Sequence, residues 1–396
     1  MRYKLVHDEG KKPEEDISAA IKMARPMSLL SDRFFQSGMA RVEGDLIKVN
    51  GELFPDLPLK KDKIVKDLSL FVNWSGKNVE VNLFGLNKHG RAVYLNLVFS
   101  DKYGNTYRYI GLKGAGMPEK SDKGIQLGDL IKSGRYSPSD PIWGLQGYST
   151  TILDWNESNE ILKNGGQTSA PIAIIKLKAV IMKNGEKKSV EELKEEGLIP
   201  KFVKDGDRMV EYQPVIYLRA FSEVMRLGDV GKDDIEKFAN EHGMTTDNYL
   251  VWWAKKLAKN VAKLHNAGKA HGYLLEQNIT LDGCFVDNDT IQNFGKSTGI
   301  SMEAYAEDAT DILCDDTIGS FAIRAGIKSF TEFDEIFLRE YLENRRDMEK
   351  VEFEVLYSKL SDSFIKGSSA VHILKEEYKK KFDEELETRK LYKSRI

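Results

Sequence analysis

The chain has 396 residues, of which 41% are hydrophobic and 31% charged, with both signs interspersed and a formal net charge of −3. That length suits two or three units, or one two-lobed enzyme with an extension, and the charge balance argues against nucleic acid or an anionic membrane as the main partner. No apolar run approaches a membrane span, the opening MRYKLVHDEGKK lacks a leader's apolar core, and two cysteines, Cys284 and Cys314, exclude a disulfide framework or a Cys-rich metal site; a cytoplasmic location is expected.

Residues 1–70 carry no evident chemistry and read as an extension that packs on the next domain. A short helix is expected over 16–27, ended by Pro26, and IKVNGELF within 46–54 reads as a hairpin with Asn50-Gly51 at its turn. FPDLPLKKDK reads as a linker. Residues 71–113 form a meander, FVNW, VEVNLFG, AVYLNLVF and TYRYIGLKG, rich in β-branched and aromatic residues. Its turns, SGKN, LNKHG and DKYGN, are Gly-bearing, and it ends in Leu112-Lys113-Gly114-Ala115-Gly116. Taken alone, a strand lysine is most simply a solvated one.

A polar loop over 117–146, with Pro138 and Pro141, leads to STTILDWNESNEILKNGG. Ser149 or Thr150 can cap a helix there and Gly165 can end it. Ile152, Trp155, Asn159 and Leu162 share the face expected to be buried, and the acids Asp154, Glu157 and Glu160 are each most simply solvated. APIAIIKLKAVIM is a long β-type stretch, a charged insertion carries a helix in SVEELKEEG, and PVIYLRAF is a further strand. Arg219 and Arg226 follow its apolar run; guanidinium suits either a phosphate or a structural ion pair.

From about residue 230 the periodicity is helical. Leu250, Trp253, Leu257, Val261 and Leu264 recur at spacings of three and four, with Asp247 as an N-cap and Gly268 as a stop. Two short β-type runs come next, Ile279–Leu281 and Cys284–Val286, around Asp282-Gly283. A two-residue turn there pairs Leu281 with Cys284, Thr280 with Phe285, Ile279 with Val286 and Asn278 with Asp287. An amide oxygen and a carboxylate side by side suit a hard dication such as Mg²⁺. Cys284 packs as a small hydrophobe. Residues 302–318 are acidic, and 331–350 and 351–390 read as amphipathic helices with Glu/Lys pairs.

A helix, a His-Gly loop ending in Asn, and a hairpin ending in Asp resemble the core of protein-kinase-like folds. HGYLLEQN keeps His271 and Asn278 at the kinase spacing, with Tyr273 where kinases place an Asp. Three stretches together resemble the selenoprotein O family, kinase-fold proteins that transfer AMP from ATP to protein hydroxyls. HGRAVYLNLVFSDKYGNTYRYIGLKGAG is similar to its Gly-Arg-Ala strand and Lys-Gly-Ala-Gly ending, placing Arg91, Lys113 and Gly114 at the nucleotide. STTILDWNESNEILKNGG is similar to its helix, placing Asp154 where the family has the Glu that pairs with that lysine. In the third, Asn278 and Asp287 keep the metal-site spacing. PVIYLRAFSEVMRLG places Arg219 and Arg226 on two family arginines. The chain departs at Gln277, where the family's loop has Asp, at Asp289 in place of Gly, and in its tail RKLYKSRI, which has no cysteine. An amide cannot act as a base; Asp289 reads either as a second metal ligand or as the substitute base.

The resemblance implies an α+β, bilobal protein-kinase-like fold: an extension over 1–70, a β-rich N-lobe over 71–226 and a helical C-lobe over 227–396. It implies an ATP-dependent protein adenylyltransferase using Mg²⁺ or Mn²⁺, with Lys113 and Asp154 catalytic and Asn278 and Asp287 on the metal; Asp289, where the chain departs from the family, is added as a catalytic candidate. Arg91, Lys113, Gly114, Arg219 and Arg226 would hold the nucleotide. Proteins with hydroxyl side chains would be the substrates, with no nucleic acid or membrane partner. Phosphoryl transfer, or nucleotide binding without catalysis, are the alternatives.

Overall fold

The computed structural model describes residues 33–55, 57, 61–86, 91–118, 144–295, 299–313, 315–329, 331–346, 348–362 and 369–380. The helix expected over 16–27, most of the LNKHG turn and of the 117–146 loop, and the RKLYKSRI tail lie outside them. In chain order the elements begin with β1 (Phe34–Arg41), β2 (Gly44–Val49), α1 (Lys61–Leu68), β3 (Leu70–Val72), β4 (Val81–Leu86), β5 (Ala92–Ser100), β6 (Thr106–Lys113) and β7 (Gln146–Gly147). Next come α2 (Tyr148–Lys163), β8 (Ala170–Leu177), β9 (Ala179–Ile181), β10 (Lys187–Ser189), α3 (Val190–Glu195), β11 (Phe202–Asp205), β12 (Arg208–Glu211) and β13 (Pro214–Phe221). The rest is α4 (Lys232–Glu241), α5 (Thr246–Asn266), β14 (Lys269–Ala270), β15 (Gln292–Asn293), α6 (Gly299–Ile312), α7 (Ser320–Arg324), α8 (Thr331–Asn344), α9 (Lys350–Asp362) and α10 (Ser369–Tyr378).

The architecture is α+β. The described residues form two compact units, one of 33–148 and 172–220, the other of 149–171 and 221–380. The first is built on a nine-stranded sheet of order β2-β8-β13-β6-β5-β4-β1-β3, with β7 paired to β13. Its inner strands β8 and β13 are near-continuous apolar runs and are buried almost end to end, as strands covered on both faces must be. The expected meander is present as β4, β5 and β6. Asp101 closes the β5–β6 turn by accepting from the Tyr103 and Asn105 amides, each at 2.9 Å.

Two local expectations change. IKVNGELF is not a hairpin: β2 pairs with β8, from Gly44 opposite Leu177 to Val49 opposite Ala173. The Asn50 amide continues that pairing by donating to the Ile172 carbonyl at 2.8 Å. Residues 34–49 therefore supply two strands of the main sheet. The helix α5 is capped by Thr245, whose hydroxyl accepts from the Asn248 amide, and not by Asp247.

The second unit is helical, with α5 as its spine. The stripe Leu250, Trp253, Leu257, Val261 and Leu264 is buried, and α5 packs against α8. The same helix holds the hairpin of residues 279–286. Its Tyr249 hydroxyl donates to the Leu281 carbonyl (2.6 Å), Trp253 Nε1 to Thr280 (3.4 Å) and Asn260 Nδ2 to Gly283 (2.9 Å). Among the described residues, no helix is long and apolar enough to cross a membrane.

Candidate functional site

In the first unit the strand end 111–117 gathers three of the expected residues. Lys113 lies opposite Ala92 in the β5–β6 pairing, and the Gly114 amide donates to the Arg91 carbonyl at 2.9 Å. Gly114 has φ +93°, and a Cβ there would lie 2.3 Å from the Val215 carbonyl oxygen and 2.7 Å from Gln146 Cβ. Only glycine fits that conformation and that approach. The segment is tied down beyond it: the Val72 amide donates to Ala115 (2.8 Å) and Trp74 Nε1 to Met117 (3.0 Å). Lys113 is not the solvated surface lysine that a lone strand lysine suggests; only 4% of it is exposed. An ammonium is buried at such cost that the surrounding structure must balance it. Arg219 is also buried, with its guanidinium 5.4 Å from the centre of the Tyr217 ring.

The second unit carries the rest. On α2 the buried face is Thr151, Asp154, Trp155, Ser158, Ile161 and Leu162. Of the expected face only Trp155 and Leu162 belong to it; Ile152 and Asn159 are half-buried. Asp154 lies within that face, 1% exposed, and accepts from Ser158 Oγ at 3.0 Å, so it is not a solvated acid. Glu157 and Glu160 are not free either: both pair with the buried Lys269 of β14, at 2.6 and 3.0 Å. These pairs outweigh burial and raise the Lys269 pKa, which keeps it charged.

The hairpin exists, but in another register. Ile279 bridges Phe285, the Thr280 amide donates to Cys284, and the Val286 amide donates to Asn278. Every pair is shifted by one from the count for a two-residue turn. The turn has three residues, Leu281-Asp282-Gly283, with Gly283 left-handed at φ +72° and its amide donating to Thr280 at 2.8 Å. This is the three-residue hairpin ending in a left-handed glycine. Asn278 thus lies opposite Val286, and Asp287 is one residue further out. Asp287 has a left-handed backbone (φ 60°, ψ 55°), and Asn288–Thr290 then coils into a single 3₁₀ turn. The strand does not continue, so the alternation that would put Asp289 on the face of Asp287 is absent.

Arg226 reaches this end of the hairpin. Its Nη1 donates to the Gln277 carbonyl (2.6 Å) and its Nη2 to Asp287 Oδ2 (3.2 Å). Asn278 Nδ2 donates to the Tyr273 carbonyl at 2.9 Å. The donor types suit Mg²⁺, but the arrangement does not. The ion needs oxygens at about 2.0–2.1 Å in near-octahedral geometry, and Oδ2 of Asp287 already faces a guanidinium. Among the described residues, no three His, Cys, Asp or Glu side chains cluster as metal ligands.

Two buried carboxylates hold the loop and hairpin, and sequence reasoning missed both roles. Asp282 accepts from Ser222 Oγ and Thr280 Oγ1 (2.6 Å each), Cys284 Sγ (3.2 Å) and Lys256 Nζ (3.3 Å). Burial pushes the Cys284 thiol up to about 12, so it packs without reacting. Asp308 of α6 accepts from the His271 amide (2.6 Å) and the Gly272 amide (2.8 Å). It also faces His265 Nε2 at 3.2 Å, while His265 Nδ1 faces the Tyr341 hydroxyl at 2.7 Å. Arg345 donates to that hydroxyl (2.7 Å) and pairs with Glu352 (2.6 Å). An ionised carboxylate only accepts, so Nε2 carries the proton and Nδ1 accepts from Tyr341. The available signal was Asp308 standing in line with Tyr305, Ala309 and Ile312, on a face that is buried.

No protein-family model matches the chain, and no curated protein does. Solved structures of protein-kinase fold do. A rhoptry antigen kinase domain of Toxoplasma gondii is 12% identical over 73% of this chain and 86% of that one, at a TM-score of 0.29. ROP2 of the same organism, described as having a protein-kinase fold and no enzymatic activity, is 13% identical over 76% and 88%, at 0.28. The twitchin kinase region of C. elegans is 11% identical over 80% and 68%, at 0.20. Such scores are too low to carry an argument. The kinase-like reading therefore stands on the chain's own elements: a β-rich unit, then a spine helix, a His-Gly loop to Asn278 and a hairpin to Asp287.

The buried imidazoles give a pH dependence. Burial lowers both His265 and His271, and the charge of Arg345 lowers His265 further. Below about pH 6.5 the unfolded chain binds protons on both that the folded chain refuses, so stability falls as pH drops. Asp308 opposes this. Burial pushes it up to about 6 from 3.8, so it adds stability as pH falls through 6. Burial raises Glu352 as well, and it acts in the same direction as Asp308. The imidazoles lose over the whole range below about 6.5, whereas each carboxyl gains only below its own raised value, so a net loss is expected between pH 7.5 and 5.5. The melting temperature is expected to be lower at pH 5.5 than at pH 7.5, and His271→Gln to flatten the difference. A wild-type profile flat across that range would rule the effect out.

Proposed function

We propose that the chain binds ATP and transfers AMP slowly to hydroxyl groups of proteins. The observation that carries this reading is Lys113, buried at a strand end beside a glycine that nothing larger can replace. A fixed cation at the end of a strand suits a polyphosphate. Arg91, Gly114 and Arg219 are proposed nucleotide contacts, and Asp154 is a proposed catalytic residue. In the transfer, the hydroxyl oxygen bonds to the α-phosphorus, the bond to the bridging oxygen of the β-phosphate breaks, and pyrophosphate leaves. The hydroxyl proton needs a base. Gln277 cannot serve, and Asp289 is the proposed substitute. A positioned base commonly contributes roughly 10²–10⁴-fold, so a displaced one implies a slow reaction. The likeness to the selenoprotein O family and a cytoplasmic setting belong to this proposal. The Mg²⁺ or Mn²⁺ dependence expected from sequence is left out, because Arg226 faces Asp287.

A second reading, nucleotide binding without catalysis, is favoured by that same Arg226–Asp287 pair. ATP labelled at the α or the γ phosphate, with intact mass of the protein as readout, separates the two. The expected result is α label on protein, including the chain itself, and no γ label. Transfer of γ label would mean phosphoryl transfer instead. ATP bound with neither label transferred would establish the second reading.

A further inference from the structure

Arg226 is fixed to the hairpin before its side chain is considered. It bridges Thr280 in antiparallel fashion, and the next amide, Leu227, donates to the Ile279 carbonyl at 3.0 Å. Its own amide donates to Asp229 Oδ2 at 3.2 Å. Backbone pairing thus sets where the guanidinium starts. The guanidinium is then held at two points, the Gln277 carbonyl and the Asp287 carboxylate. Both side chains of the pair are largely shielded, at 19% and 22% exposure, so water screens it only in part. Asp287 is one of two non-glycine residues with positive φ among the described residues, and it meets Arg226 in that costly conformation. The neighbouring acid, Glu276, is itself paired with Arg324. The acidic end of the hairpin therefore already has a cation of its own.

We propose that Arg226 is the built-in cation of this loop, taking the place a divalent ion would hold, so that a polyphosphate anion is bound without metal. Its fork of donors matches carboxylate and phosphate oxygens alike, so one guanidinium can hold Asp287 and still face a phosphate. A dication at Asp287 would have to displace it or sit against a like charge. The polyphosphate as ligand rests on the nucleotide-binding reading; the exclusion of metal does not.

The test uses the full chain, stripped of metal and titrated with Mn²⁺ alone, with free Mn²⁺ read by electron paramagnetic resonance. Wild type is expected to show no site tighter than about 1 mM, while Arg226→Gln gains one at least about tenfold tighter that Asp287→Asn abolishes when added to it. Calorimetry should show wild-type ATP affinity equal, within about twofold, in Mg²⁺ and in EDTA. A wild-type Mn²⁺ site lost in Asp287→Asn would overturn the proposal. So would ATP binding lost in EDTA, or Arg226→Gln that folds and gains no site. If Arg226→Gln fails to fold by circular dichroism, wild type against Asp287→Asn still decides. A chain that binds no ATP under any condition removes the nucleotide reading, and the Mn²⁺ titrations then judge Arg226 alone.

Discussion

Lys113→Met is expected to weaken ATP binding by about 10- to 100-fold, measured by calorimetry. A charged hydrogen bond contributes about 1.5–3 kcal/mol, which is roughly that range in affinity. Methionine keeps the length and apolar stem of lysine, so the buried strand end loses its charge and little of its packing. The groups that balance the buried ammonium lose their partner as well, so circular dichroism at the assay temperature is needed to separate lost binding from lost folding. Arginine is not a rescue. Its planar fork is bulkier than an ammonium, and the site is buried beside the tightly packed Gly114. Equal ATP affinity in wild type and Lys113→Met would take the phosphate role away from Lys113, and with it the main support for nucleotide binding.

What was legible in the sequence was local. The meander β4–β6 arises from alternating β-formers and from Asp101 and Gly104 in one turn. The stripe on α5 arises from spacings of three and four in a single run. The hairpin of 279–286 was legible as a hairpin, but its register was not. Asp-Gly serves a two-residue turn and also the end of a three-residue one. The choice is made by tertiary bonds, from Tyr249, Trp253 and Asn260 to three hairpin carbonyls, and by Asp282 anchored to Ser222 and Lys256. The one-residue shift is what separates Asn278 from Asp287 and leaves Asp287 to Arg226. The α2 helix failed for another reason. Half of its buried face is polar, Thr151, Asp154 and Ser158, and hydrophobic periodicity cannot register a polar face. The partner of β2 is more than a hundred residues away in β8, beyond any local signal.

Asp308 holds the loop from outside it, through the His271 and Gly272 amides, and its removal is expected to be strongly destabilising. Asp308→Ala leaves the His271 and Gly272 amides without their acceptor, in an interior where α6 excludes water, and strips His265 Nε2 of its partner. Each orphaned buried donor costs about 1–3 kcal/mol, and broken buried networks commonly cost about 3–5 kcal/mol in all. For a helical unit of this size that lowers the melting temperature by on the order of 10 °C. Asp308→Asn should fall between, since one carboxamide oxygen can still accept while its amino group faces a donor. The effect should also be local. With the anchor gone, the His271 and Gly272 amides should exchange with solvent much faster, while those of α5, held by its own ladder and stripe, should change little at first. The loop they open runs directly to Gln277 and Asn278, so ATP affinity should drop even though Asp308 itself is buried away from solvent. An Asp308→Ala protein that melts within about a degree of wild type, with His271 still protected from exchange, would show that the loop is held by its other bonds.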